Sequence, residues 1–142
     1  MARAKNVKTP DAAAEKRIKT LWHSKKITKP FEAFYKWYLK QEQKCCYCGI
    51  TEQEMARLDK ISNDATGRPL TKRNRGKHLE LERKSPDKDY DDFKNLALAC
   101  YWCNNAKTDT FTEEEFKPVG RAFSKIWKTR LKNASDKGVT QR

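Results

Sequence analysis

Four of the five cysteines in this 142-residue chain form two Cys-x-x-Cys pairs, Cys45 with Cys48 and Cys100 with Cys103. Each pair lets two thiolates reach one ion from a tight turn, and two pairs complete the tetrahedral four-sulfur site typical of structural zinc. The N-terminal segment lacks the apolar stretch of a secretory signal, so we expect a reducing compartment, in which cysteines more often bind metal than form disulfides. We predict a structural zinc site and expect Cys46 to be a free thiol.

Between the two cysteine pairs, the segment HLELER alternates polar and apolar residues with a period of two. This pattern is typical of a half-buried strand, with Leu79 and Leu81 on one face. The other face carries His78, Glu80 and Glu82. These carboxylates either face solvent or bind a hard divalent cation.

A second short strand is predicted at residues 95–99, and the residues that follow Cys103 begin a helical turn. In such a ββα unit the first strand and the helix can face one another, so Glu82 and Asn104 could place two oxygen ligands on one cation. Mg²⁺ prefers a few protein oxygens together with water and substrate phosphate oxygens. An ion of this kind can stabilise the leaving oxygen during phosphodiester cleavage.

The run LELERKSPDKDYDDFKNLALACYWCNNAK resembles the HNH, or ββα-metal, endonuclease motif. The enclosing cysteine pairs are similar to those of zinc-containing HNH proteins of phages and of endonuclease VII, and the resemblance covers about residues 45–107. It implies an α+β fold in which a small ββα-metal core is clamped by a four-cysteine zinc site, with flanking N- and C-terminal helices. It also implies a DNA endonuclease or nickase that uses Mg²⁺ or Mn²⁺, as would suit a phage, a mobile element or a defence system.

The resemblance assigns roles to five positions. Glu82 matches the metal-binding acid of the family, and Asn104 matches its last metal-binding residue. Asn95 matches the central asparagine, which organises the loop through backbone hydrogen bonds. Arg83 falls where the general-base histidine usually lies, and Lys107 falls where a basic residue commonly follows and could contact phosphate.

Arg83 is the main departure from the family pattern. A guanidinium group stays protonated and only donates hydrogen bonds, so it is a poor general base, although it could bind the scissile phosphate or stabilise developing charge. Other candidate bases are Glu80, about 7 Å from Glu82 along the strand at roughly 3.3 Å per residue, and His78, about 13 Å away. A metal-bound water activated by the substrate phosphate is a third candidate. A non-catalytic, zinc-stabilised nucleic-acid-binding module therefore stays open as the alternative function.

The charge balance predicts a polyanionic partner. The chain has 32 Lys and Arg residues against 19 acids, a net charge of +13, which favours nucleic acid over a membrane surface. DNA is favoured over RNA by the resemblance alone, and a protein partner or a homodimer stays open. A loop predicted at residues 62–77 concentrates basic side chains that we expect to contact phosphates: Arg68, Lys72, Arg73, Arg75 and Lys77.

Capping boxes predict where two helices begin. Thr51 and Glu54 open a short helix that should end near Ile61, and Thr112 and Glu115 open a longer helix. Upstream, a helix is expected at about residues 10–23 and another after Pro30. These elements must place the cysteines and the acidic strand within one small core.

Pro118 and Gly120 are expected to break or kink the last helix. The chain is accordingly divided into a basic N-terminal helical region at 1–44, the zinc-clamped core at 45–117, and a basic C-terminal helix and tail at 118–142. The longest apolar run, LALACYWC, is too short to span a membrane, and we expect a cytoplasmic location in a bacterial or phage-infected cell.

Overall fold

The computed structural model of the protein describes residues 11–70 and 75–140, with side chains described as far as residue 134. In chain order the elements are α1 (Ala12–Ser24), α2 (Phe31–Lys40), α3 (Glu52–Thr66), β1 (Glu80–Arg83), a one-turn 3₁₀ helix (Phe93–Asn95), β2 (Leu96–Ala99), α4 (Tyr101–Lys107) and α5 (Glu113–Thr140). The predicted α+β class, with a small two-stranded core between flanking helices, is confirmed.

The two strands form an antiparallel pair in which Glu82 lies opposite Ala97 and Glu80 lies opposite Ala99. Leu79 and Leu81 are buried, as the alternating pattern predicts. All of β2 is buried, and it leads through Cys100 directly into α4, which packs against β1. The strands and α4 therefore form the predicted ββα unit.

The N-terminal helices pack onto this core through aromatic side chains. In α2, Phe34 and Tyr38 are buried, and the Phe34 ring contacts the Phe93 ring at a centroid distance of 5.9 Å. The carboxylate of Asp91 accepts the backbone N–H of Thr28 at 2.7 Å, which joins the α1–α2 turn to the loop between the strands. Helices α1 and α2 are thus attached to the loop that follows the acidic strand.

Helix α3 is longer than predicted. Its capping box is present, with the Glu54 backbone N–H donating to Thr51 Oγ1 at 3.1 Å, but the helix continues past Ile61 to Thr66. It ends at Gly67, whose φ of 69° lies in the left-handed region that glycine adopts readily. The expectation that the basic loop begins at residue 62 is wrong, because a glycine rather than a polar composition ends the helix.

Helix α5 begins at its predicted capping pair, since the Glu115 backbone N–H donates to Thr112 Oγ1 at 3.3 Å. It then runs without interruption through Pro118 and Gly120, so the expected break is wrong. The proposed boundary between residues 117 and 118 falls inside this helix. No helix in the described part of the chain, α5 included, combines the length and the apolar character needed to cross a membrane.

Gly120 serves close packing rather than helix termination. A Cβ atom at this position would lie 2.6 Å from the carbonyl oxygen of Tyr47 and 2.7 Å from its Cβ. Only glycine lets the α5 backbone approach the first cysteine turn this closely. The helix is therefore seated directly on the segment that carries Cys45 and Cys48.

Candidate functional site

The four predicted zinc ligands converge in space. The sulfur atoms of Cys45, Cys48, Cys100 and Cys103 all lie within 4.8 Å of one another, and all four residues are buried. Cys48 Sγ and Cys100 Sγ are 3.7 Å apart. A tetrahedral ion with Zn–S bonds of about 2.3 Å has sulfurs about 3.8 Å apart, whereas a disulfide needs about 2 Å. The donor set therefore fits structural zinc.

Backbone N–H groups close the first cysteine turn and contact a sulfur atom in each of the two turns. Gly49, at a φ of 76°, closes the first turn by donating its N–H to the Cys45 carbonyl at 2.9 Å. The Tyr47 backbone N–H lies 3.4 Å from Cys45 Sγ. At the start of α4, the Cys103 backbone N–H lies 3.4 Å from Cys100 Sγ. Such N–H···S contacts orient thiolate ligands around a metal.

Cys46 is exposed and lies outside the sulfur cluster, in line with the expected free thiol. Its backbone N–H donates to the Leu98 carbonyl at 2.9 Å, so the first cysteine turn is attached to the free edge of β2. The cysteine site and the strand pair are consequently one structural unit.

Glu82 is buried, with 3% of its surface exposed, and is held by two partners. The Tyr47 hydroxyl donates to Glu82 Oε2, and Lys107 Nζ lies 3.3 Å from the same oxygen. Burial raises the pKa of Glu82, while the contacts with Tyr47 and Lys107 oppose that rise. Burial and the hydrogen bond to Glu82 together raise the pKa of the Tyr47 hydroxyl. Both side-chain partners therefore contact the same carboxylate oxygen, Oε2.

Lys107 does not occupy the predicted phosphate-contacting position. Its side chain is completely buried, and Nζ also donates to the Arg83 carbonyl at 2.9 Å. The expected contact with phosphate is corrected accordingly, and Lys107 instead supports Glu82 and the end of β1. Sequence reasoning missed this because lysine is rarely buried unless it is paired, and the pairing partner lies 25 residues away in the chain.

Asn104 contacts Glu80 rather than Glu82. Its Nδ2 donates to Glu80 Oε1 at 2.9 Å, across the interface between α4 and β1. Arg75 binds the same carboxylate through two nitrogens, with Nη2 at 2.8 Å and Nε at 3.3 Å. The guanidinium of Arg75 also lies 4.5 Å from the Tyr101 ring centroid. The predicted pairing of Asn104 with Glu82 is therefore replaced by a contact with the other carboxylate on the same strand face.

Arg83 is anchored by a carboxylate that sequence reasoning did not single out. Its Nη2 donates to Asp109 Oδ1 at 2.7 Å, and its guanidinium lies 4.9 Å from the Tyr90 ring centroid. Asp109 follows α4 and is largely exposed, so the pair lies near the surface. A guanidinium in this position can exchange an exposed carboxylate for a phosphate.

Asn95 is buried and bridges the turn after β1. Its Oδ1 accepts the Ser85 backbone N–H at 2.9 Å, and its Nδ2 donates to the Ser85 carbonyl at 3.0 Å. The Asn95 carbonyl also accepts the Lys84 backbone N–H at 2.8 Å. These bonds hold the segment that carries Arg83, which is the loop-organising geometry implied by the resemblance.

His78 lies outside this arrangement. Its Nδ1 is 3.5 Å from Glu52 Oε1, and the second oxygen of Glu52 accepts the Leu79 backbone N–H at 2.8 Å. The histidine is exposed and faces the start of α3. Its contacts are therefore those of a surface residue at the entry to β1.

The predicted basic loop is only partly described. Arg68 and Lys77 are exposed, so both are accessible to a phosphate backbone. Arg75 is half-exposed and already engaged with Glu80. Lys72 and Arg73 lie outside the described residues.

The chain is similar to a solved structure of PacI, described as a rare-cutting HNH restriction endonuclease that perturbs DNA. The two share 25% sequence identity with a TM-score of 0.61, over 89% of this chain and 86% of that chain. No family model matches the sequence, and no curated protein matches it either. The similarity thus extends over nearly the whole chain, beyond the residues that carry the motif.

Proposed function

We propose that this chain, which is similar in fold to an HNH restriction endonuclease and has four cysteines placed to bind zinc, is a metal-dependent endonuclease or nickase that hydrolyses phosphodiester bonds in DNA. The proposal rests on the likeness to an HNH restriction endonuclease, and it is supported by Glu82 lying on β1 and Asn104 on α4, the helix that packs against that strand. A carboxylate oxygen and an amide oxygen are ligands that Mg²⁺ and Mn²⁺ accept.

In the proposed reaction, Glu82 and Asn104 would hold the divalent ion. When bound, the ion supplies charge stabilisation at the leaving oxygen during in-line attack by water. Arg83 binds the scissile phosphate, for which it exchanges its exposed partner Asp109. Asn95 holds the turn that presents Arg83. We assign proton acceptance to the substrate phosphate, because Glu80 is bound by Arg75 and Asn104 while His78 is directed to Glu52.

The net charge of +13 supports a nucleic-acid substrate, and the likeness to a DNA-cutting enzyme favours DNA over RNA. We propose that the exposed Arg68 and Lys77 contact the phosphate backbone together with Lys72 and Arg73. We further propose that the basic regions 1–44 and 118–142 flank the core at 45–117 and bind the same duplex. Backbone contacts of this kind make affinity fall steeply with salt.

The test is plasmid nicking by zinc-loaded protein with Mg²⁺ or Mn²⁺. Glu82→Ala is expected to abolish nicking while zinc stays bound, and Glu82→Gln, which keeps the hydrogen-bonding shape, should lower the rate strongly. Both variants leave Lys107 without its buried counter-charge, so nicking is compared at a temperature at which circular dichroism shows each variant to be folded. Glu114→Ala is the control, because Glu114 is an exposed carboxylate on α5 that contacts Lys117. Undiminished nicking by either Glu82 variant would contradict the site assignment.

Arg83 at the position of the usual base favours one alternative, a non-catalytic zinc-stabilised nucleic-acid-binding module. A guanidinium engaged with Asp109 cannot accept a proton. This alternative predicts salt-sensitive DNA binding without turnover in any divalent ion, and the appearance of nicking in Arg83→His. Nicking by the wild-type protein excludes it.

A further inference from the structure

We propose that Tyr47 is a positioning residue that connects the four-cysteine site to the catalytic carboxylate Glu82. The inference rests on the proposed function, because it assigns Glu82 to the divalent ion. Tyr47 lies between Cys45 and Cys48 in the chain, and its hydroxyl donates to Glu82 Oε2. One side chain thereby contacts the β1 carboxylate from inside the turn that would hold zinc.

The position of Tyr47 is set by the cysteine turn and by α5. Its backbone N–H lies 3.4 Å from Cys45 Sγ, and its ring packs edge-on against Phe116 at a centroid distance of 5.0 Å. Its backbone carbonyl faces Gly120, where no side chain intervenes. The residue is 9% exposed, so the ring has little freedom to move while the turn is formed.

Glu82 depends on this contact for its orientation. A carboxylate rotates easily about its terminal bond, and a ligand oxygen must be aimed at the ion. Tyr47 and Lys107 both contact Oε2, which directs Oε1 away from them. Of the two, Tyr47 alone belongs to the cysteine turn. Zinc would therefore do more than support folding, because it also fixes the partner that aims Glu82.

The hydroxyl can be removed with little change in packing by Tyr47→Phe. Binding of Mn²⁺ alone to the zinc-loaded protein, followed by electron paramagnetic resonance, should weaken about 10-fold or more, as is typical when an outer contact of a metal ligand is lost. Nicking should fall at low Mn²⁺ and recover in part at saturating Mn²⁺. Zinc content should match that of Tyr38→Phe, which removes a hydroxyl from a buried tyrosine in α2.

Combining the variants tests whether Tyr47 acts through Glu82. In a Glu82→Ala background, Tyr47→Phe should leave the remaining Mn²⁺ affinity unchanged, because the group that Tyr47 orients is gone. Mn²⁺ affinity of Tyr47→Phe equal to that of wild type would overturn the proposal. So would a loss of zinc greater than in Tyr38→Phe, since Tyr47 would then be a structural residue. If wild type binds Mn²⁺ without nicking, the proposed function fails while the Mn²⁺ comparison still decides the role of Tyr47.

Discussion

At the scale of single residues, the buried pair of Glu82 and Lys107 joins the proposed metal ligand, Glu82, to a lysine that stabilises the fold. The two groups are 3.3 Å apart, and both side chains are almost fully inaccessible to solvent. Removing one partner of a buried pair leaves an uncompensated charge, which costs far more than the net value of the pair. Lys107 can therefore be essential to the fold without touching substrate.

Lys107→Ala is expected to lower the free energy of unfolding of the zinc-loaded protein by about 3–5 kcal/mol, because Glu82 loses its buried counter-charge. Lys117→Ala is the matched control, since Lys117 forms an exposed ion pair with Glu114 and should show no measurable change. Denaturant unfolding of both variants measures the difference. Equal stability of the two variants would show that Lys107 is not structural.

At the scale of elements, α5 acts as a support for the cysteine turn. Its Phe116 packs on the Tyr47 ring, and its Gly120 allows backbone contact with Tyr47. The chain uses a glycine here inside a long helix although glycine disfavours helix by about 1 kcal/mol relative to alanine. Close approach between two backbones outweighs that local preference.

Gly120→Ala should destabilise the protein by about 1–3 kcal/mol, because the added methyl meets backbone atoms that must shift, and this exceeds the gain in helix propensity. Ala122→Gly, at an exposed position of the same helix, isolates the propensity effect and should cost about 1 kcal/mol. Thermal melts and nicking rates of the two variants are compared. A stabilised Gly120→Ala protein would contradict the close packing.

At the scale of the whole molecule, the four-cysteine site joins segments that are far apart in the chain. The first turn precedes α3 and the second opens α4, so an ion there would close the entire core around β1 and β2. Only 37% of the residues are hydrophobic. We therefore expect metal binding to supply a large part of the folding free energy.

Cys103→Ser is expected to lose zinc and the cooperative melting transition, because three thiolates hold the ion far more weakly than four. Cys46→Ser is the control, since Cys46 is exposed and outside the cluster. Zinc content and far-UV circular dichroism are measured for Cys103→Ser, Cys46→Ser and the wild-type protein. A chelator should reproduce the Cys103→Ser state in wild type, and added Mg²⁺ should not reverse it. Retention of a native melt by Cys103→Ser would argue against a zinc-dependent fold.

The sequence by itself determined what depends on short spacings. Several features depend only on residues a few positions apart, so they can be recognised without tertiary information. They are the two Cys-x-x-Cys pairs, the alternation of Leu79 and Leu81, and the capping boxes at Thr51 and Thr112. These signals suffice for the ββα unit and the four-cysteine cluster. They misplaced the end of α3, which is set by Gly67, and predicted a break in α5, where Gly120 instead allows close packing on Tyr47. The role of Gly120 depends on the residue that lies opposite it.

Only the tertiary structure decided which side chain meets which across the site. Glu82 meets Tyr47 and Lys107, whereas Asn104 meets Glu80, although both carboxylates lie on the same strand face. That choice follows from how α4 and the first cysteine turn are placed over β1. Such placement arises from contacts between residues 24–35 positions apart, to which no local pattern is sensitive.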